Sequence, residues 1–384
     1  MERLAIEGGE PASRKWIPIS KPLIGEEEIR EVVRVLKSGR LREGELTRRF
    51  EEEFKRRCGA EHAIAVSSGT AALHLAFLSI LKPGDEVILP SFTFIASANT
   101  VLLAGGKPVF ADIDERTFTL DPDDVLERIT GRTKAIEPVH LYGQPADVGA
   151  FLDIAEDHGL WLVWDAAQAH GAEYAGRDVG SFRDLVCFSF YATKNMTTGE
   201  GGMITTCHRA LAERISMLKD HGQAERYWSL MPGFNYRMME VQAAIGLHQL
   251  RRLEEFNRAR EENARFLTKR LSGLGGIRPP YVREGARHVF HQYTVVLELE
   301  ELRCDRDEFV RALRAENVDA RVYYPVPIHK QPAYRDLCKG LRLPITEEMA
   351  KRVLSLPVHP ALTEEDLEAI VLAIEKVLGH FQKR

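Results

Sequence analysis

Short apolar runs alternate with helix-like segments between residues 61 and 206. This alternation is typical of a mostly parallel sheet covered by helices, because consecutive parallel strands need a crossover connection between them. The runs predict strands at 63–66, 86–89, 108–112, 135–141, 160–164, 186–190 and 203–206. The segments between them predict helices at 71–80, 95–103, 123–129 and 148–158, entered through Thr, Asp or Pro and left through Gly or charged residues.

The pattern changes after Glu240, where a long helix rich in Arg and Glu is predicted at 241–271 and is followed by three glycines. Beyond it, strands at 289–299 and 320–324 and helices at 307–316 and 364–381 predict a compact α+β unit. A chain of 384 residues is longer than one hydrophobic core supports. We therefore predict an N-terminal segment with a large α/β domain at 1–255 and a small C-terminal domain at 256–384.

The overall charge excludes two classes of partner. A net charge of -5 and a pI near 6.3 leave no basic surface for nucleic acid or for an acidic membrane. Met1 is followed by charged residues, and no apolar run approaches the ~20 residues that span a bilayer. These observations predict a cytoplasmic protein.

The cysteines do not indicate a structural framework. They are five in number, widely spaced, and without a CxxC pair. Neither a disulfide network nor a zinc site is suggested, so we expect reduced thiols and no bound metal.

Lys194 stands in a turn between two apolar runs, and Gly199, Gly201 and Gly202 follow it closely. A lysine in such a place is poorly solvated, which lowers its pKa and makes the amine nucleophilic enough to condense with an aldehyde. The alternative is a surface lysine in a hairpin turn. The pattern thus offers Lys194 as a candidate catalytic amine.

Asp165 directly follows the apolar run at 160–164, and Gln168 lies three residues further on. Open α/β sheets bind ligands at the carboxyl ends of their strands. A carboxylate there can pair with a protonated pyridine nitrogen and keep the ring electron-accepting. The alternative is that Asp165 caps the next helix.

Three further segments could hold a flat phosphorylated ligand. Gly69 and Thr70 lie where a strand turns into a helix, a natural phosphate site, although such residues are also ordinary caps. Ser189, five residues before Lys194, adds a hydroxyl. Phe94 offers an aromatic face on which a heterocycle can stack, or it belongs to the core.

Two loops contribute weaker candidates for ligand binding, and the first of them would by itself indicate only a helix entry. Asn235 and Arg237 precede the long helix, and the fork of Arg237 could bind a donor carboxylate or form an interface ion pair. His329 lies in a Pro-rich loop, where it could contact a sugar or a diphosphate, or be solvated.

Taken together, these segments resemble the DegT/DnrJ/EryC1/StrS family, the sugar aminotransferases among the fold type I, aspartate aminotransferase-like enzymes that use pyridoxal 5'-phosphate (PLP). The resemblance covers nearly the whole chain. The motifs that carry it, in order, lie at 68–75, 84–94, 139–143, 165–168, 187–202, 235–238 and 242–246.

The resemblance implies a role for each candidate around PLP, with pyridoxamine 5'-phosphate as intermediate. Lys194 would carry the cofactor as a Schiff base, Asp165 would hold the pyridine nitrogen, and Gln168 would contact the ring hydroxyl side. Phe94 would stack on the ring. The phosphate would be bound by Gly69, Thr70 and Ser189.

The family also implies a homodimer with its active sites at the interface, where Asn235 would reach the phosphate in the neighbouring subunit. The implied reaction moves an amino group from an amino acid, usually glutamate, to a nucleotide-linked keto sugar. A branch of the family has histidine in place of the lysine and dehydrates sugars, so Lys194 favours transamination.

Three other functions remain open at the level of sequence. The leader at 5–12 resembles that of members acting on cyclitols or related ring ketones, which makes such an acceptor an alternative. A PLP-binding regulatory protein without turnover is an alternative of another class. A Rossmann dehydrogenase is disfavoured because the turn after the first strand lacks GxGxxG.

Overall fold

The large α/β unit is built on a seven-stranded sheet. The structure is a computed structural model that describes residues 3–383. Within these residues the sheet has the order β1-β7-β6-β5-β4-β2-β3, and β7 is antiparallel to both of its neighbours. The mostly parallel α/β fold is therefore confirmed. The strands are β1 (His62–Val66), β2 (Glu86–Pro90), β3 (Lys107–Ala111), β4 (Thr133–Ile136), β5 (Trp161–Asp165), β6 (Leu185–Ser189) and β7 (Gly202–Thr206).

Helices cover both faces of this sheet. One apolar cluster joins it to α3, α4 and α7, and a second joins the opposite face to α2, α6 and α8. None of the helices formed by residues 3–383 is both long enough and apolar enough to cross a membrane. The helices are α1 (Glu26–Ser38), α2 (Glu45–Cys58), α3 (Gly69–Ile80), α4 (Ala96–Leu103), α5 (Pro122–Arg128), α6 (Val148–His158), α7 (Arg209–Lys219), α8 (Glu240–Leu271), α9 (Arg306–Ala315), α10 (Pro344–Arg352) and α11 (Glu364–Phe381).

The C-terminal unit packs α9 and α11 against a small antiparallel sheet. Its strands are β8 (Ile277–Arg278), β9 (Tyr293–Leu297) and β10 (Val353–Leu356), in the order β8-β9-β10. Helix α8 runs through the predicted domain boundary at residues 255 and 256. Leu4 and Ile17 from the N-terminal segment pack in the apolar cluster of the C-terminal unit. The division into 1–255 and 256–384 stays a prediction.

Two strand predictions were wrong. The run at 135–141 forms a strand only to Ile136, because Pro138 has no N–H to continue the ladder. The run at 320–324 forms no strand. Only Arg321 pairs there, with Ser355, while Tyr323 and Tyr324 turn towards a cavity.

The N-terminal leader is held on the C-terminal unit by one buried carboxylate. Glu316 accepts hydrogen bonds from the backbone N–H of Ala5 at 2.7 Å and of Ala12 at 2.8 Å. Lys376 pairs with the same carboxylate at 2.9 Å and also donates to the carbonyl of Glu10 at 2.6 Å. The side chains of Glu316 and Lys376 are 0% and 5% exposed, so this ion pair is removed from water.

Loss of the Glu316 carboxylate should therefore destabilise the C-terminal unit. We expect Glu316→Ala to lower the free energy of unfolding by about 3–5 kcal/mol, because the change leaves the buried ammonium of Lys376 uncompensated. Urea unfolding followed by circular dichroism measures this. Glu10→Gln, in an exposed side chain of the same segment, is the control and should change stability by less than about 0.5 kcal/mol. Equal stability of both variants would contradict the account.

Candidate active site

The carboxyl ends of the parallel strands open into one cavity. Strand β1 ends before Ser68, β2 ends before Thr93, β5 ends at Asp165 and β6 ends at Ser189, and all four residues line this space. Its volume is about 590 Å³. Other residues that line it include Gly69, Thr70, Phe94, Gln168, Tyr191, Lys194, Glu200, His291, Gln292, Tyr323 and Tyr324.

Hydrogen bonds hold the backbone around Lys194 in place, while its side-chain amine has no partner among the residues that the structure describes. Its N–H donates to Tyr191 at 2.9 Å, and the next residue, Asn195, is buried and donates to Asn257 at 2.9 Å. Within residues 3–383 the Lys194 Nζ has neither a hydrogen-bond acceptor nor a carboxylate partner. Removal from water lowers the pKa of Lys194 to about 8, against an opposing effect of Asp165. The site thus holds an amine that is partly neutral near pH 8.

Asp165 is a buried carboxylate at the end of β5. One oxygen accepts from Ser97 Oγ at 3.0 Å and the other from the backbone N–H of Ala167 at 3.0 Å. Burial raises the pKa of Asp165, while these two hydrogen bonds and the charge of Lys194 act in the opposite direction. Two neutral donors leave capacity for a cationic partner, since a carboxylate can accept about four hydrogen bonds.

Gln168 connects the two units of the chain across the cavity. Its Oε1 accepts from the backbone N–H of Tyr142 at 2.7 Å, and its Nε2 donates to the hydroxyl of Tyr324 at 3.2 Å. Tyr142 in turn donates from its hydroxyl to the carbonyl of Tyr323. The amide of Gln168 is therefore held in one orientation beside Asp165.

The start of α3 meets the end of β6 at close range. Ser68 caps the helix by accepting from Ala71 N–H at 3.1 Å. A Cβ on Gly69 would lie 2.6 Å from Ser189 Cβ, so only glycine fits there. Thr70 follows in the first turn of α3, where free backbone N–H groups favour an anion.

Phe94 is exposed at the mouth of the cavity. Its side chain is 56% exposed, an unusual value for phenylalanine, and its ring lies 6.1 Å from that of Tyr324. The alternative of a core residue is therefore wrong, and the ring is available to a ligand.

Three predicted residues lie outside the cavity of the described chain. Asn235 is exposed, and Arg237 is paired with Asp220. His329 is buried, with Nδ1 2.6 Å from Ser91 Oγ and Nε2 3.2 Å from Glu347. A solvated loop histidine is thus excluded, and contacts of these residues with a ligand stay predictions.

Several residues in or beside the cavity are not predicted from the sequence. Ser97, in the first turn of α4, donates to Asp165 and lies only three positions after the predicted Phe94. Tyr324 and His291 gave no such signal, since packing of the C-terminal unit brings them to the cavity.

The comparison with known families decides the identity. Residues 22–375 match the model of the DegT/DnrJ/EryC1/StrS aminotransferase family. The chain belongs to this family. The resemblance inferred from the motifs is confirmed, and members of the DegT/DnrJ/EryC1/StrS family are PLP-dependent aminotransferases of fold type I.

Relatives within the DegT/DnrJ/EryC1/StrS family cover almost the whole chain. GDP-perosamine synthase of Caulobacter vibrioides is 45% identical over 86% of this chain and 89% of its own. The spore coat polysaccharide biosynthesis protein SpsC of Bacillus subtilis is 40% identical over 94% of this chain and 97% of its own. The crystal structure of S. venezuelae DesV, in complex with a ketimine intermediate, superposes with a TM-score of 0.89 at 40% identity, over 94% of this chain and 99% of DesV.

Proposed function

We propose that this chain transfers an amino group from L-glutamate to the keto group of a nucleotide-linked keto sugar, in amino-sugar biosynthesis. Lys194 is proposed as the catalytic residue, and the cytoplasm as the site of action. The observation that supports this most strongly is an unpartnered amine and a buried carboxylate facing one cavity at the carboxyl edge of the sheet. Membership of this family and the activity of its relative GDP-perosamine synthase support the choice of acceptor.

The residues of the cavity fit pyridoxal phosphate. When bound, this cofactor supplies an aldehyde that exchanges amino groups and a ring that accepts electrons. Lys194 offers a free amine to the aldehyde, and Asp165 has spare acceptor capacity for the ring nitrogen. The absence of a Cβ at Gly69 lets the start of α3 approach Ser189 closely, and both residues line the cavity where the N–H groups of the helix start would face a phosphate.

The remaining side chains would fix the ring. Phe94 would cover one face, and Gln168 would approach the ring hydroxyl side. Thr70 and Ser189 would add hydroxyl donors to the phosphate. A ring held on its face, at its nitrogen and at its phosphate keeps one orientation relative to Lys194, which is what positioning contributes to catalysis.

Lys194 would then work as the proton carrier of both half-reactions. Its freed Nζ would take the proton from the α-carbon of glutamate and deliver it to the adjacent cofactor carbon, and reverse the sequence with the keto sugar. A positioned acid–base group of this kind contributes ~100- to 10,000-fold to rate. The lowered pKa of Lys194, about 8, suits this work near neutral pH.

A homodimer with shared active sites completes the proposal. Large apolar side chains are exposed along one side of α1 and also at residues 227–230, as expected of surfaces that another subunit covers. Asn235 would reach the phosphate in the partner's site from its exposed loop. The exposed side chains are Ile29, Val33, Leu36, Tyr227, Trp228 and Leu230.

The alternatives now have less support. The cyclitol acceptor was suggested by the leader at 5–12, and in the structure Glu316 holds that leader on the C-terminal unit. The regulatory alternative draws on one relative, a pleiotropic regulatory protein of Geobacillus stearothermophilus that is 39% identical over 92% of this chain. The presence of Lys194, Asp165 and Gln168 in one cavity speaks for turnover.

A panel of acceptors tests the proposal. The protein loaded with cofactor and L-glutamate is offered keto sugars bearing different nucleotides, free keto sugars and ring ketones such as keto-inositols, and amine formation is followed by mass spectrometry. Amination of a nucleotide-linked sugar alone supports the proposal. Amination of ring ketones alone would replace it with the cyclitol function, and consumption of no acceptor would favour the regulatory one.

Gly69→Ala should weaken binding of the cofactor phosphate. The added methyl group meets Ser189 at 2.6 Å and must displace β6 or α3. Such overpacking costs about 1–3 kcal/mol, which corresponds to a roughly 5- to 150-fold larger dissociation constant for PLP. Gly131→Ala is the matched control because a Cβ at Gly131 meets nothing within 4 Å. Fluorescence titration measures the dissociation constant for PLP in both variants. A wild-type value for Gly69→Ala would show that Gly69 does not belong to the phosphate site.

Attachment of PLP to the cofactor-free protein should depend on pH with a midpoint set by Lys194. The neutral amine is the reacting form, so the rate rises with pH and levels off above about pH 8. A lysine of ordinary pKa, about 10.4, would give a rate still rising at pH 10. Stopped-flow absorbance distinguishes the two profiles, and the second would show that this site does not lower the pKa of its lysine.

A further inference from the structure

A chain of two hydrogen bonds runs from the large unit to the C-terminal unit at the rim of the cavity. The backbone N–H of Tyr142 donates to Gln168 Oε1 at 2.7 Å, and Gln168 Nε2 lies 3.2 Å from the hydroxyl oxygen of Tyr324. Tyr324 comes from the C-terminal unit, 156 positions further along the chain. No role for this tyrosine follows from the reaction described above.

The donor and acceptor of each of these two hydrogen bonds follow from the backbone N–H of Tyr142. A backbone N–H can only donate, so the amide atom of Gln168 that faces Tyr142 must be the carbonyl oxygen. The other amide atom is then the nitrogen, which can only donate to Tyr324. The phenol oxygen is therefore the acceptor in this hydrogen bond, and its own hydrogen must point elsewhere.

Residues 3–383 provide no acceptor for that hydrogen. Tyr324 lines the cavity, and the ring of Phe94 lies 6.1 Å away at an interplanar angle of 38°. Burial raises the pKa of Tyr324 above its usual range, so the phenol keeps its hydrogen. Tyr324 is only partly shielded from solvent and lines the cavity, so its hydroxyl hydrogen is open to an acceptor atom of a ligand bound there.

We propose that Tyr324 donates a hydrogen bond to an oxygen atom of the ligand bound beside Phe94 and Gln168. This inference rests on the proposed function, which places a cofactor and a substrate in the cavity. The acceptor oxygen belongs either to the cofactor ring or to the amino donor or keto sugar. A neutral phenol can donate to any of these electron-rich oxygens. Removal of the phenol changes a different measured property of the enzyme in each case.

Tyr324→Phe separates the two sources. If the oxygen belongs to the cofactor ring, the variant shifts the midpoint of the pH titration of the bound-cofactor absorption band, with no substrate present. If it belongs to a substrate, the titration is unchanged and KM for that substrate rises roughly 10-fold while kcat changes less. Tyr334→Phe is the control. It removes a buried hydroxyl of the same unit, which donates to Asn99 at 2.7 Å outside the cavity.

Gln168→Glu tests the direction of the hydrogen bond itself. A carboxylate at position 168 would accept from both Tyr142 N–H and the phenol of Tyr324, and would turn the phenol hydrogen away from the ligand. In the Gln168→Glu background, Tyr324→Phe should therefore have little further effect on the same readout. This non-additivity in a double-mutant cycle is not expected of two independent packing changes.

These measurements test the hydrogen bond from Tyr324 separately from the proposed aminotransferase function. If Tyr324→Phe has both the wild-type titration midpoint and the wild-type KM for each substrate, in protein that binds cofactor and consumes glutamate, this inference is overturned and the proposed function is left intact. Additive effects of the two substitutions also overturn it. Absence of cofactor binding by the wild-type protein overturns the proposed function and the inference together. A shift in either readout, absent from Tyr334→Phe, supports it.

Discussion

Lys194→Ala is expected to abolish amino transfer while the protein still binds PLP. The variant loses the amine that attaches the cofactor and carries the proton in both half-reactions. The acid–base contribution alone is ~100- to 10,000-fold, so turnover should fall by at least that factor. Asp165, Phe94 and the α3 phosphate site remain and should retain the cofactor reversibly. Steady-state rates, together with the absorption spectrum before and after dialysis, measure both effects.

Lys21→Ala is the matched control for this substitution. Lys21 is an exposed lysine that shares a small cavity with Lys194, so its loss tests whether any nearby amine has the same effect. We expect wild-type turnover and a cofactor that survives dialysis. Retention of the cofactor through dialysis by Lys194→Ala would contradict the assignment of Lys194 as the attachment site.

Asp165→Asn should leave a cofactor that binds but reacts slowly. The carboxylate is the only acidic side chain that the described chain places at the end of β5, and it is proposed to keep the ring nitrogen protonated. Loss of a hydrogen bond to a charged group removes about 1.5–3 kcal/mol, which corresponds to a roughly 10- to 150-fold slower half-reaction with glutamate. Stopped-flow measurement of the cofactor band after addition of glutamate gives this rate.

Two further variants test whether the slower half-reaction of Asp165→Asn comes from the loss of its carboxylate. Ser97→Ala keeps the carboxylate and removes one donor at 3.0 Å, so its rate should fall between those of wild type and Asp165→Asn. Asp153→Asn changes an exposed aspartate on α6 and should have no effect. An Asp165→Asn protein that reacts at the wild-type rate would show that the ring nitrogen has a different partner.

The sequence predicts those strands, helices and site residues whose signals lie within a few positions along the chain. Alternation of apolar runs and helical segments predicts the main sheet, and the edge where parallel strands end brings Asp165 and Ser189 together. Lys194 was found because an isolated lysine in a turn between apolar runs is unusual. Each of these signals comes from a short segment of sequence, and the sheet brings these segments together at one site.

The parts that were missed depend on tertiary packing. The sequence predicts a strand at 320–324 that includes Tyr324, and only the position of the C-terminal unit brings this tyrosine against Gln168. Strand β10 was missed because α10 ends at Arg352 and the strand begins at Val353, without a turn signal between them. The leader at 5–12 was interpreted as a substrate feature, whereas Glu316 holds it from 304 to 311 positions away.

The most direct test of the central claim is the absorption spectrum of the purified protein with PLP, recorded as L-glutamate and then a nucleotide-linked keto sugar are added. The account predicts a band from the lysine-bound cofactor that disappears with one equivalent of 2-oxoglutarate formed per site, and returns when the keto sugar is aminated. A band that no amino donor diminishes, or that never forms, would contradict an aminotransferase function for this chain.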